Sequence, residues 1–560
     1  MKRFKAFLIT LSLVILFLTP LIVAKSTTID IFALPKSTFF VTGILLVSIL
    51  LGLSPGIFKD LSRDRVSQVL LALAFFVPLI SLLLNGSNEE RIFGVHGRFN
   101  GALTYMALFL LLLIIRATFD LSAIRKSLLI GSLTNLIVGT YFLLQITGKD
   151  FTEWQQIYGD PSSTLGNPNF VSGFLATTTF CYLALFQNNS KLLKLNRFLQ
   201  FVSILGIGFS ITCIVLTSSS LGLLSVLFGF LFILISIFLK RIAIFRKMSN
   251  THRLVFAPSL FIFIPLSAVI LTFNLFSLAS SITNRLYYWQ VSLTALMSKP
   301  LQGFGFDSTG DFFRTVDRQD RFGATFAVDS AHNLVIDLAT WVGLPVIVII
   351  LSLLVLTLIK FLRLILNSTL VLSTEMILFV SFLSFITQAL ISVPTIGVNA
   401  WGFCFLGSLI TLAFPKASNK GVSQIKIGVL RASQSLLVLI LILLLPLFPM
   451  RFMKDIDFRT FSESGDGLRL INLVQQWPED SFHYLTLTHS LYLNNQSSLA
   501  RSIGKQGLEF NSRNYLLLDE MMRQERELSE KSQDPNFNSA LRREIQARMK
   551  AINPLYKLSP

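Results

Sequence analysis

The chain has 560 residues, 52% of them hydrophobic and 14% charged, with a formal net charge of +18. A soluble domain carries about 25% charged residues, so this composition excludes an ordinary water-soluble globule. The positive charge does not point to nucleic acid either, because Lys and Arg fall in short clusters between long apolar runs, as orientation signals do in membranes.

The fold class this pattern predicts is an all-α polytopic membrane protein. A helix needs about 20 apolar residues to cross a ~30 Å hydrocarbon core. In chain order such runs lie at 6–24, 37–54, 66–85, 101–119, 128–146, 169–187, 198–218, 221–239, 254–277, 333–358, 369–391, 399–414 and 430–450, about thirteen spans. The first follows Met1, Lys2, Arg3, Phe4 and Lys5 as a signal peptide would. Its length, and the lack of a small-x-small cleavage site, predict an uncleaved helix. Cys181, Cys213 and Cys404 sit inside apolar runs with no metal or disulfide spacing and read as packing residues.

With the N-terminus inside, the inner connections hold 23 basic residues and the outer ones ten. The positive-inside rule then places the N-terminus on the inner side, and an odd number of spans places the C-terminus outside. Three outer connections are long, 86–100, 147–168 and 278–332, and they carry Trp154, Trp289 and most of the extramembrane Asp. Residues 1–450 therefore form a transmembrane domain and 451–560 a polar helical one. In the latter, Leu485, Leu487 and Leu491, then Leu499, Ala500, Ile503 and Leu508, mark two amphipathic helices between Pro478 and Ser512. Those two positions are 34 residues apart, the tetratricopeptide period. A plain helical hairpin fits the same pattern.

Four clusters stand at outer helix ends. They are Gly94 to Gly101 with His96, Arg98 and Asn100; Gly166, Asn167, Pro168 and Asn169; Asn284, Arg285 and Trp289, followed by Lys299, Pro300, Gly303 and Gly305; and Ala331, His332, Asn333 and Asp337. Each has a bland alternative. Asn167-Pro168 is ordinary helix capping, Arg98 and Arg285 suit snorkelling anchors, and His332 suits a helix cap. Asp307, Asp311, Asp317, Asp320 and Asp329 resemble a metal site only loosely. Without calcium-loop spacing, and with Arg314, Arg318 and Arg321 between them, they read as a solvated, self-neutralised loop.

Taken in order, these motifs resemble the O-antigen ligase/polymerase superfamily over roughly residues 90–410, and tetratricopeptide-like tails occur there too. The resemblance implies a bacterial inner-membrane glycosyltransferase of the C-type fold group, with its N-terminus cytoplasmic and its C-terminal domain periplasmic. The donor would be a glycan on undecaprenyl diphosphate, the acceptor a hydroxyl on a lipid core, glycan or protein. Neither metal nor cofactor would be needed, and membrane lipids rather than nucleic acid would be the other partners. Carried onto this chain, Arg285 and Arg98 would bind the diphosphate and His332 would act on the acceptor hydroxyl. Asn333 and Asp337 would orient its ring, and Trp289, Asn167 and Asn169 would support the site. Many members carry an Arg after a Thr/Ser pair near the outer junction of the seventh and eighth spans; here Thr217 to Gly222 holds none. Ligation, polymerisation and protein O-glycosylation all fit. A transporter is the rival class, and Glu375 and Gln388 in the eleventh span are its only hints.

Overall fold

The computed structural model describes residues 2–150, 152, 161–187, 193–241, 278–316, 328–367, 372–415, 427–533 and 539–552. Among these residues the only regular structure is helical. The helices are α1 (Lys2–Leu18), α2 (Ala33–Gly52), α3 (Pro55–Arg63), α4 (Arg65–Asn85), α5 (Glu89–Ile92), α6 (Ala102–Thr118), α7 (Leu121–Ile146), α8 (Pro168–Thr179, continued as a 3-10 helix to Gln187), α9 (Leu193–Leu216) and α10 (Ser220–Arg241). Then come α11 (Leu278–Ser298), α12 (Thr309–Val316), α13 (Leu334–Val342), α14 (Leu344–Asn367), α15 (Thr374–Ala389), α16 (Ile396–Ala413) and α17 (Ile427–Leu444). The polar domain holds α18 (Leu447–Ser464), α19 (Gly467–Val474), α20 (Ser481–Leu493), α21 (Ser497–Phe510), α22 (Tyr515–Ser532) and α23 (Ser539–Ile552).

Nine helical segments among the described residues are long and apolar enough to cross a membrane, and α6 and α15 are shorter apolar helices beside them. The chain is thus an all-α polytopic membrane protein. The expected span at 254–277 lies outside the described residues, as do Trp154, Asp317, Asp320, Arg318 and Arg321. At the bundle centre is α6, all 17 of whose residues are buried. Its last turn carries Arg116, one of the inner-side basic residues, which is only 1% exposed. The guanidinium grips both oxygens of Asp64 at 2.9 and 3.1 Å and donates to the carbonyls of Thr411 and Phe414, left open where α16 ends. That clamp closes one end of the bundle. The opposite, loop-rich end gathers the connections after α1, α4, α7, α9 and α15 and the segment before α13.

One expected span needs correction. Residues 333–358 are not one helix: α13 stops at Gly343, whose φ of +81° suits glycine, and the spanning helix is α14. The break is filled by the Lys299-to-Gly305 segment. Phe304 and Gly305 donate to the carbonyls of Thr340 and Trp341 at 2.8 and 3.0 Å, and Leu344 donates to Pro300 at 2.7 Å. A β-carbon on Gly303 would sit 2.6 Å from the Thr340 oxygen, so this approach demands glycine.

The polar domain has its own core, in which Leu487, Leu491, Ala500, Ile503 and Leu508 are buried and Leu485 and Leu499 half-buried. Its root is α18. There Arg451, wholly buried, holds Glu89 at 3.1 Å, Asp455 at 3.6 Å and also Asp480. Asp455 accepts from the amides of Ile29 and Asp30 at 2.7 and 3.3 Å, and His96 stacks on Phe482 with ring centroids 3.7 Å apart. The domain is therefore bonded to both the 25–32 and the 88–98 connections.

Candidate active site

The segment before α13 is shaped by one carboxylate. Asp337, fully buried, accepts from Ser330 Oγ at 2.6 Å and from the Ala331 amide at 2.7 Å. Ser330 Oγ in turn accepts from the His332 amide at 2.9 Å. This knot holds His332 at φ +55°, a left-handed conformation seldom adopted by a residue with a side chain. Asn333 caps α13, its side-chain oxygen accepting from the amides of Val335 and Ile336 at 3.0 and 3.1 Å. The two residues expected to orient the imidazole thus act on the backbone instead. The ring bond runs to the Ser330 carbonyl, 3.0 Å from Nδ1. A carbonyl can only accept, so Nδ1 carries the proton and Nε2 is left with a basic lone pair. Tyr288 packs beside the ring, centroids 5.2 Å apart.

Two sequence-distant segments, and Asp329 three residues upstream, bring charge to this imidazole. Arg98 donates through Nε to Asp329 at 2.7 Å, and its guanidinium carbon lies 5.8 Å from the centre of the Phe170 ring. Arg285, on α11, donates through Nε to the Ile391 carbonyl at 2.7 Å. Burial holds the His332 pKa below the usual imidazole value. The Ser330 carbonyl and Asp329 pull it up, and Arg285 and Arg98 push it down. His332 is therefore neutral, and a base, at neutral pH. Asp329 is raised by burial, but the charge and hydrogen bond of Arg98 outweigh that, leaving its carboxyl below the usual range.

Arg98 sits on a tight turn with Gly94 at φ +103° and Gly97 at +81°. Asp307 fastens that turn, accepting from the amides of Val95 and Asn100 at 2.8 and 3.3 Å. Burial pushes the Asp307 carboxyl up to about 7 despite those two donors. Asp311 pairs with Arg91. The acidic loop is therefore not simply solvated and self-neutralised: Asp307, Asp311 and Asp329 all bond to residues 91–100. Asp329, Ser330 and Asp307 are the site residues that sequence reasoning did not single out as such.

Asn167 is the N-cap of α8, accepting from the Asn169 amide at 2.8 Å, with Pro168 in the first turn. Its ordinary capping role and a place in the site coexist, because Asn167 also lines a cavity of about 310 Å³ together with Arg98. Asn169 is exposed and is not in that lining. Trp289 lies one turn beyond Arg285 on the same face of α11, half-buried. The α9–α10 junction, lacking the expected Arg, packs on α8 through Ser219 and Ser172. Glu375 lies in the first turn of α15, at the end remote from His332.

Fold and site together define a polytopic helical membrane protein with a His–Arg cluster at one end of its bundle. Residues 205–351 match the family described as O-antigen ligase, which supports a likeness to the O-antigen ligase/polymerase superfamily over that part of the chain. The matched region includes Arg285, Trp289, His332, Asn333 and Asp337, whereas Arg98, Asn167 and Asn169 lie outside it. This match supports ligase- or polymerase-type glycan transfer in general. No curated protein matches the chain.

Proposed function

We propose that the loop-rich end is the periplasmic active site of an inner-membrane glycosyltransferase. It transfers a glycan from undecaprenyl diphosphate to an acceptor hydroxyl without metal or cofactor. The observation that carries this reading is the convergence of Arg98, Arg285 and a neutral His332 with Nε2 available, from segments far apart in the chain. The 23-to-10 basic asymmetry supports the sidedness.

In this scheme Nε2 takes the proton of the acceptor hydroxyl as its oxygen attacks the anomeric carbon. The bond from that carbon to the diphosphate oxygen breaks, and the departing charge falls on the lipid diphosphate. Guanidinium groups match that charge with paired N–H donors. Trp289, Asn167 and Asn169 flank the substrate, while Asp337 holds Ser330 and Ala331 and Asn333 caps α13, on either side of His332. The helical polar domain, read as tetratricopeptide-like, supports a macromolecular acceptor such as a lipid core, a growing glycan or a protein, since helical repeats present extended binding surfaces.

The test is reconstitution of the full chain with an undecaprenyl-diphosphate glycan and candidate acceptors. Production of free undecaprenyl diphosphate in step with a glycosylated acceptor is expected; no transfer to any lipid, glycan or protein acceptor contradicts the reading. Gene deletion then separates the modes. Accumulated unattached long chains mean ligation, and single repeat units mean polymerisation.

A further inference from the structure

The turn that carries Arg98 is gripped from two sides. On the membrane-domain side Asp307 fastens its base, at the amides of Val95 and Asn100. Between those points Gly97 stands at φ +81°, and a β-carbon there would meet nothing within 4 Å, so the backbone next to Arg98 has room to move. The tip is met by the polar domain. The His96 ring lies flat on Phe482, centroids 3.7 Å apart and planes 3° from parallel, and it meets Phe99 edge-on at 6.0 Å. Its Nδ1 makes no hydrogen bond among the described residues, so the stack does what a bond from that nitrogen would otherwise do. Phe99, on the other side of Arg98, lies under Arg451, whose guanidinium carbon is 5.6 Å from the ring centre.

Phe482 is itself held firmly. It lies in the first turn of α20, its amide donating to Asp480 Oδ1 at 2.8 Å, and Asp480 belongs to the buried Arg451 cluster. That cluster reaches back to Glu89 at 3.1 Å, and Asn511 donates to Glu90 at 2.8 Å. The polar domain therefore grips the 88–99 segment at Glu89, at Glu90 and at His96. The last of these is two residues from Arg98. A domain that only docked an acceptor would have no need of that third grip.

We propose that Phe482 is a positioning residue: through His96 it fixes the turn that presents Arg98, and the polar domain is thereby a working part of the site. The role of Arg98 toward the donor rests on the proposed function; the fixing of the turn does not. An aromatic stack of this kind shifts the balance between a seated and a loose turn by about 2–10-fold. Donor that binds only the seated turn draws the loose one back, so losing the stack weakens apparent donor affinity by that factor and spares the bound complex. The loss falls on KM and not on kcat.

The experiment uses the full chain in nanodiscs as Phe482→Ala, Phe482→Leu and Phe482→Tyr. Leucine keeps most of the apolar bulk without a ring face, and tyrosine keeps the ring. Amide hydrogen exchange over residues 94–101 is measured beside transfer from an undecaprenyl-diphosphate glycan at varied donor. In Phe482→Ala and Phe482→Leu the exchange is expected to quicken and the donor KM to rise, each by about 2–10-fold, with kcat unchanged and, in Phe482→Leu, an unchanged thermal midpoint. Phe482→Tyr should restore both. Unaltered exchange over 94–101 in Phe482→Ala and Phe482→Leu overturns the proposal. So does a fall in kcat with a lowered midpoint and no rise in KM, which makes Phe482 a packing residue only. Faster exchange that Phe482→Tyr reverses, with the donor KM unmoved or with no transfer at all, sustains the fixing of the turn and counts instead against Arg98 as a donor ligand.

Discussion

Arg451 and Arg98 stand at the same end of the molecule and have opposite surroundings. Arg451 is 0% exposed and faces three carboxylates. Arg98 is 26% exposed, and its carboxylate partner Asp329 is itself 39% exposed. The first has its charge fully committed inside the protein, where breaking the cluster would strand buried anions. The second lies on the wall of a cavity. What balances each arginine thus separates the residue that builds this end of the bundle from the one proposed to meet the donor.

The largest effect should come from breaking the closed cluster. Arg451→Ala leaves Glu89, Asp455 and Asp480 buried together and should cost about 3–5 kcal/mol, seen as a collapse of thermal stability in detergent. Arg98→Ala, by contrast, should melt within a degree or two of the unaltered chain, and equal losses of stability in the two variants would erase the distinction.

On the open side, Arg285→Ala should lower transfer at limiting donor by about 10²–10³-fold, as loss of a preorganised donor to a developing charge does. Arg285→Lys should recover little, because a point charge does not reproduce the guanidinium fork. Normal transfer by Arg285→Ala removes this residue from the donor site.

Asp329→Asn gives a smaller, directional effect. The Asp329 carboxylate raises the pKa of His332. The base works when unprotonated, so the rate falls as pH drops through that pKa, and neutralising Asp329 should move this acid limb to lower pH. A limb that stays put, or moves up, separates Asp329 from the histidine. The smallest effect is that of Asn167→Ala, which removes the cap of α8 and should cost about 1 kcal/mol of stability.

The contrast between the two arginines also explains what was legible in the sequence. Apolar run length marked the spans, and glycines, prolines and isolated polar residues at their ends marked the Arg98, Arg285 and His332 clusters. Arg451 was not legible, because its partners Glu89 and Asp480 sit in polar stretches that look solvated and come together only in the fold. Asp329 was hidden for the same reason, paired with a residue 231 positions away. The break at Gly343 was missed because α13 is as apolar as the span that follows; only the docking of Pro300 to Gly305 shows why the chain turns there. Proximity in sequence places Asn333 and Asp337 beside the His332 ring, but Asn333 bonds to the first amides of α13 and Asp337 to the Ser330 hydroxyl and the Ala331 amide.

The most direct test of the central claim is His332→Ala, assayed for glycan transfer together with donor binding on the same purified protein. A positioned base contributes typically 10²–10⁴-fold. The account predicts a loss of turnover in that range, with donor affinity and thermal midpoint unchanged, because Arg98 and Arg285 keep their partners at Asp329 and Ile391. Full turnover by His332→Ala would contradict it and return the residue to the role of a strained turn ahead of α13.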